Sequence, residues 1–221
     1  MTADDNARRY ESWYHTPRGE WIATQEAELM RCLLAPAAGD TLLDVGCGSG
    51  HFSRRFAAYG LRVTGLDPDA AMVDFARWQD GAIDYLLGTG QTLPFSDAAF
   101  DYVTAVTSLC FIADPEAALV EMWRVSRKAV CLGLLNRHSL LCRRKAGQGA
   151  YHGARWDTAE QVRQWARHLS PPARLRVRSA VFLPSGNGVA RGIERLLPAC
   201  LPWGGFLAVC LDKPGSRMNP G

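Results

Sequence analysis

Several things are scarce or missing in this 221-residue chain. No stretch approaches the roughly 20 consecutive apolar residues of a membrane-spanning helix, and the longest apolar runs, such as Ala129–Leu135, have the length of strands. The start, Met1 to Glu11, is polar and acidic, without the apolar core of a secretory signal. The seven cysteines are odd in number and none form a Cys-x-x-Cys pair, which excludes a zinc or iron–sulfur frame and suits reduced thiols in the cytoplasm. No His, Cys and acidic residues cluster at ligand spacing, so no metal is expected. There is no internal repeat and no low-complexity linker. Lysine is nearly absent, with 3 against 22 arginines, a bias of composition that carries no function by itself.

What is present describes one globular domain, with 48% hydrophobic and 21% charged residues. A net charge of +3 conceals a split. Residues 1–123 hold 18 acids against 8 cations, and residues 124–221 hold 4 against 17. Such asymmetry suits an anionic substrate, nucleic acid, a membrane surface, or two halves that neutralise each other on folding.

Short apolar runs alternate with longer helical patterns. Strands are expected at Leu42–Val45, Arg62–Leu66, Ile83–Leu87, Tyr102–Val106, Ala129–Leu135, Leu175–Leu183 and Phe206–Leu211. Helices are expected after the Gly-rich turn through Phe52 and Phe56, from the N-cap Asp69 through Trp78, and from Asp114-Pro115-Glu116 to about Val125. A further one, Val162–Leu169, follows the capping box of Thr158 and Gln161. This alternation indicates an α/β sheet, mostly parallel and covered on both faces. The last two strands, joined by an irregular Gly/Pro-rich connection, can pair antiparallel.

The most informative segment is Leu43-Asp44-Val45-Gly46-Cys47-Gly48-Ser49-Gly50. Glycines at alternate positions let backbone approach a ligand, and a helix N-terminus follows. A dinucleotide-binding turn needs Gly-x-Gly-x-x-Gly, but the third position counted from Gly46 is His51. Asp44 also sits badly beside a pyrophosphate. An acid there suits a ligand bearing a cation, such as S-adenosylmethionine.

With these residues the chain resembles the class I S-adenosylmethionine-dependent methyltransferases, and within them the small bacterial type 11, UbiE-like group. The resemblance extends from Tyr10 to about Asn136 and rests on motifs in order. Asp44–Gly50 matches the first; Asp67 closes the second strand; Leu93-Pro94-Phe95 and Phe100-Asp101 match an "LPF…FD" segment; and Glu121 with Arg124-Val125 resembles an "E-x-x-R-V" helix end. The resemblance implies a doubly wound, mostly parallel, seven-stranded Rossmann-like sheet forming a single domain. Residues 1–38 would be a helical leader or lid, 39–135 the cofactor-binding core, 136–157 a substrate-side insertion, and 158–221 the last helix and strands. It further implies that S-adenosylmethionine is held by Asp44, Gly46, Cys47, Gly48 and Gly50, by Asp67 and Pro68 at the ribose, and by Met72 at the adenine. Thr89, Gly90 and Gln91 would complete the adenine site, where the family's usual aspartate is replaced by Thr89. Thr107, Tyr10 and Arg18 complete the cofactor set, and the product is S-adenosylhomocysteine.

Methyl transfer at an activated sulfonium needs mainly orientation, exclusion of water and sometimes a base, so no catalytic triad is expected. The candidates for direct roles are His138, whose ordinary pKa suits a base, and Tyr14, which shares a helical face with Tyr10 in a closing leader. Asn136, Tyr151 and His152 are further polar groups on the insertion, and Cys110 is either a nucleophile or a buried thiol. The absence of an Asn/Asp-Pro-Pro-Tyr run after the fourth strand argues against a base-amino methyltransferase. The expected partner is a small-molecule acceptor, for which the basic second half suits an anionic group; no membrane is expected, and nucleic acid is not favoured. The rivals are an RNA or protein methyltransferase, favoured by the basic second half, and a cofactor-binding protein without catalysis.

Overall fold

A computed structural model describes residues 3–215. Two helices lead, α1 (Ala3–Tyr14) and α2 (Pro17–Leu34), the second capped by Thr16, whose hydroxyl accepts from the Gly19 N–H, with Pro17 at its first turn. There follow β1 (Thr41–Val45), α3 (His51–Ala58), β2 (Arg62–Asp67), α4 (Ala70–Gln79), β3 (Asp84–Leu87), β4 (Phe100–Val106) and α5 (Pro115–Val125). The chain continues with β5 (Ser126–Leu135), α6 (Leu140–Lys145), α7 (Ala159–Trp165), β6 (Arg174–Ala180), α8 (Gly188–Leu196) and β7 (Phe206–Asp212). The sheet order is β3-β2-β1-β4-β5-β7-β6, parallel except where β7 lies antiparallel between β5 and β6. The expected seven-stranded α/β sheet with an antiparallel end is the one observed.

The caps read from sequence act as such. Asp69 accepts from the Ala71 N–H, Asp114 from Ala117, and Thr158 with Gln161 forms the full capping box. One face of the sheet packs Met30, Leu34 and Phe56 beneath α2 and α3, and the other packs Leu119, Met122 and Val162 beneath α5 and α7. A satellite cluster of Cys110, Leu135, Leu141 and Trp156 seats the insertion on the carboxyl edge. No helix among the described residues is long and apolar enough to cross a membrane.

Two expectations need correction. The strand expected to reach Leu183 stops at Ala180, because Val181 turns at φ 64° and the Glu194 carboxylate takes the Val181 and Phe182 N–H groups at 2.5 and 2.9 Å. The connection expected to be irregular carries α8, opened by Asn187, whose side chain accepts from the Ala190 N–H. The charge split is partly closed by pairs between the halves: Arg124 with Glu121 and Asp97, Arg127 with Asp101, and Lys128 with Asp40.

Candidate active site

Strand order reverses between β2 and β4, the two neighbours of β1, and the carboxyl edge at that point is where open α/β sheets bind ligands. The Gly-rich turn lies there. The N–H groups of Gly46 and Cys47 both donate to the Leu66 carbonyl, at 2.7 and 3.1 Å, drawing the turn onto the end of β2. Gly46 and Gly48 have φ of 72° and 53°, and they serve different ends. A Cβ on Gly46 would collide with Ser108, whereas one on Gly48 would meet nothing nearer than the Tyr10 ring at 3.7 Å. Gly46 is therefore required by packing and Gly48 by its backbone conformation beside open space.

Asp67 faces the same space. Its carboxylate accepts from the Gly48 N–H at 2.7 Å and the Asp69 N–H at 2.9 Å, and burial raises its pKa. Each oxygen keeps capacity for another donor. Cys47 turns its thiol toward Gly65 and Tyr85, and burial pushes that thiol well up, so it remains protonated.

Helix α1 is fastened over the turn by a buried carboxylate. Glu11 accepts from the Ser49 hydroxyl at 2.5 Å, meets His51 Nδ1 at 3.2 Å and accepts from Arg54 at 2.6 Å. Burial opposes its charge, but the hydrogen bonds from His51 and Ser49 and the Arg54 guanidinium bring the carboxyl down to about 2. His51 Nε2 accepts from Arg55 at 2.9 Å, which places the ring proton on Nδ1, facing Glu11. The Tyr14 ring stacks on His51 with centroids 3.8 Å apart, and its hydroxyl bonds that of Tyr10 at 2.9 Å. Burial pushes the Tyr10 phenol up to about 12 and raises Tyr14 as well, so both remain neutral donors near pH 7.

On the acceptor side, Thr107 follows β4 at φ 49°, and the Ser108 hydroxyl donates to the Val45 carbonyl at 2.7 Å. The Cys110 thiol donates to the Thr107 carbonyl at 3.2 Å, and burial pushes it up to about 12, so it is no nucleophile. Arg155 ties this segment to the insertion. It donates to the carbonyls of Leu109 and Ile112 at 3.0 Å and forks onto buried Asp157 at 2.6 and 3.2 Å.

The structure brings Gly46, Gly48, Gly50, Asp67, Tyr10 and Tyr14 together around one space. Pro68 is exposed and Met72 half-buried at the first turn of α4. Thr89 and Gln91 are exposed on a turn closed by the bridge from Thr89 to Thr92, while Gly90 is buried against Val45 and Ile112. Three residues stand elsewhere than expected. Asp44 is 1% exposed, and its oxygens accept from the hydroxyls of Ser53 and Thr104 at 2.7 and 3.2 Å, so it joins α3 to the sheet. Arg18 donates to the Pro184 carbonyl at 2.7 Å, and its length is spent on the segment after β6. His138 is exposed at the turn before α6, where its N–H is held by Asn136, so it does not line the enclosed space. Sequence reading missed Glu11, Ser49, His51 and Arg54, which meet only through folding, and Glu26, which is taken up below.

Two open clefts, of about 250 Å³ beside Arg8, Phe75 and Trp78 and about 580 Å³ beside Gln91 and Val120, lie on the outer surface. Neither cleft is lined by the Gly-rich turn or by Asp67. An open glycine with positive φ, a buried carboxylate with unused lone pairs and a covering aromatic pair fit a nucleoside bearing a sulfonium.

A family model described as a methyltransferase domain matches residues 43–132. A malonyl-[acyl-carrier protein] O-methyltransferase of Serratia marcescens is 44% identical over 89 residues, covering 40% of this chain and 35% of that protein. The chain thus spans about a third of the length of that relative. A crystal structure of an S-adenosylmethionine-dependent methyltransferase from Thermotoga maritima superposes with TM-score 0.76 at 24% identity, over 95% of this chain and 97% of the other. Geranyl diphosphate C-methyltransferase from Streptomyces coelicolor, solved with S-adenosyl-L-homocysteine, gives TM-score 0.62 at 17% identity over 86% and 75%. Residues 43–132 are thus similar to a methyltransferase domain, and the chain shares the fold of solved S-adenosylmethionine-dependent methyltransferases.

Proposed function

We propose that the chain is a cytoplasmic enzyme that transfers a methyl group from S-adenosylmethionine to a small-molecule acceptor. The observation that carries the reading is the Gly48–Asp67 pair beneath Tyr10: open backbone, a carboxylate with free lone pairs and an aromatic cover at the strand-order reversal. Seven free cysteines suit a reducing compartment.

S-adenosylmethionine supplies an electrophilic methyl on a positively charged sulfur. The turn from Gly46 to Gly50 would hold its amino-acid end, Asp67 would accept the ribose hydroxyls, and Met72 with the Thr89–Gln91 turn would flank the adenine. The protein's work is orientation and exclusion of water. Fixing two reactants in line can contribute roughly 7–11 kcal/mol, and the Tyr10–Tyr14 pair, fastened by Glu11, closes the site against solvent. Calorimetry with S-adenosylmethionine and with NAD, together with a screen of acceptors by S-adenosylhomocysteine production, tests the reading. Binding of NAD in preference, or no turnover with any acceptor, would overturn it.

A second reading has an observation of its own. Arg137, Arg143, Arg144 and Lys145, on and before α6, are exposed and have no acidic partner among the described residues. That surface suits an acceptor that is itself anionic or is carried on an acidic protein, as the Serratia relative's name describes for that protein. Turnover that falls steeply with salt for such an acceptor supports it; salt-independent turnover does not.

A further inference from the structure

Helix α2 buries Ile22, Ala23, Ala27, Met30, Leu33 and Leu34. Glu26 stands four residues after Ile22 and four before Met30, on the same inward stripe. The helix runs antiparallel to the parallel strands. Near its end the Leu33 carbonyl accepts from Arg176 of β6, and at its start Arg18 reaches Pro184 beyond β6. Between them the Met30 sulfur lies 3.3 Å from where a Cβ on Gly133 would stand, and Gly133 pairs with Val106, the last residue of β4. One turn further, about 6 Å along the axis, Glu26 is at the carboxyl edge, beside the site.

Its surroundings are specific. The Arg55 guanidinium of α3 is near enough for its charge to act on Glu26, and the charge of Glu26 in turn raises the phenols of Tyr10 and Tyr14 of α1 and Tyr151 of the insertion. The Arg55 guanidinium is committed elsewhere, to Glu20 at 2.5 Å, His51 at 2.9 Å and Thr24 at 3.3 Å. Glu26 itself makes no hydrogen bond among the described residues, although its side chain is only partly accessible. Burial pushes its carboxyl up to about 8. A carboxyl on a buried helix face without a hydrogen-bond partner is costly and is retained where it has chemistry to do.

We propose that Glu26 is a catalytic residue of the acceptor site, receiving the proton of an acceptor N–H or O–H group. The proposal rests on the methyltransferase reading above. As the acceptor heteroatom bonds to the methyl carbon, the carbon–sulfur bond breaks with its electron pair on sulfur, and the heteroatom's proton passes to Glu26 Oε. A cation, a neutral acceptor and a carboxylate thereby become a thioether, a methylated acceptor and a carboxylic acid, with charge conserved. The acceptor class is then a hydrogen-bond donor at the reacting atom, whatever charge its distal end carries toward the basic insertion. Tyr151 and the Tyr10–Tyr14 pair, neutral and hydrogen-bonding, flank the same position.

The adjacent sulfonium gives a test that needs no turnover. A cation beside Glu26 favours its ionised form, so binding S-adenosylmethionine at pH 7.5 should release a fraction of a proton, and the neutral S-adenosylhomocysteine should release less. Calorimetry in two buffers of different ionisation enthalpy reads this directly. The difference between the two ligands should vanish in Glu26→Gln, whose fold loses no hydrogen bond. With an acceptor found in the screen, kcat should rise with pH to a limb displaced below the ligand-free value of about 8 by the bound sulfonium. Glu26→Gln should abolish that limb and lower kcat roughly 100-fold or more, and Glu26→Asp should restore part of it. Equal proton release in wild type and Glu26→Gln, with both ligands binding normally, overturns the proposal and leaves the methyltransferase reading standing. Failure of the wild-type protein to bind S-adenosylmethionine overturns both, and loss of binding in Glu26→Gln alone overturns the proposal and leaves the methyltransferase reading standing.

Discussion

Replacing Glu11 by Gln tests whether a buried charge holds the leader on the turn. In the folded protein the Glu11 carboxyl is held at about 2, against an ordinary 4.5. The shift corresponds to about 3 kcal/mol favouring the folded, ionised form. A group whose folded pKa is depressed contributes fully above its unfolded value and loses that contribution as pH falls through the folded value. The wild-type advantage over Glu11→Gln should therefore be complete above about pH 5, shrink below pH 4.5 and disappear toward pH 2. At neutral pH the loss should lower Tm by roughly 6–12 °C for a domain of this size, if unfolding is two-state. Should α1 instead detach first, its amides will lose protection from hydrogen exchange while those of β4 and β5 keep theirs. Thermal melts and exchange at pH 7 and pH 3 measure both. A difference between the proteins that is the same at both pH values would show that packing of Tyr14 on His51 holds the leader and the charge does not.

Three other substitutions separate the roles of neighbouring atoms. Asp67→Ala should weaken S-adenosylmethionine binding several-fold or more by calorimetry, and unchanged affinity would remove the carboxylate from the ligand's contacts. Gly46→Ala should destabilise the fold more than Gly48→Ala, because a Cβ on Gly46 collides with Ser108 while one on Gly48 has only backbone strain to bear; equal melting temperatures would contradict this. Deleting residues 1–15, which keeps the Thr16 cap of α2, should raise the off-rate of bound cofactor in stopped-flow experiments, and an unaltered rate would limit α1 to a packing role.

The sheet was legible because its signals are local. Asp69, Asp114 and Thr158 cap helices through atoms within three residues, and each strand's apolar run is read without knowing its neighbours. The Gly-rich turn was legible for the same reason. What escaped was set by distance along the chain. Glu11 meets Ser49, His51 and Arg54 some forty residues away, so nothing near any of them marks the cluster. Glu26 reads as an ordinary helical acid until the register of α2 against Gly133 turns it inward. Asp44 misled in the opposite sense: an acid before the first glycine suggested a ligand contact, but Ser53, one turn into α3, and Thr104 of the neighbouring strand satisfy it first. His138 is a residue type that serves as a base, but it stands on an exposed turn.

The Arg155 clamp has a kinetic consequence. By joining Leu109, Ile112 and Asp157 through one guanidinium, it makes the insertion and the segment after β4 a single rigid wall. The opposite wall, α1, is held by a handful of polar contacts and can swing as a unit. Two substrates then share one doorway. Under the proposed function, a cofactor against the glycines would be the deeper ligand, so it would arrive first and leave last, and the off-rate measured after deletion of the leader checks this order.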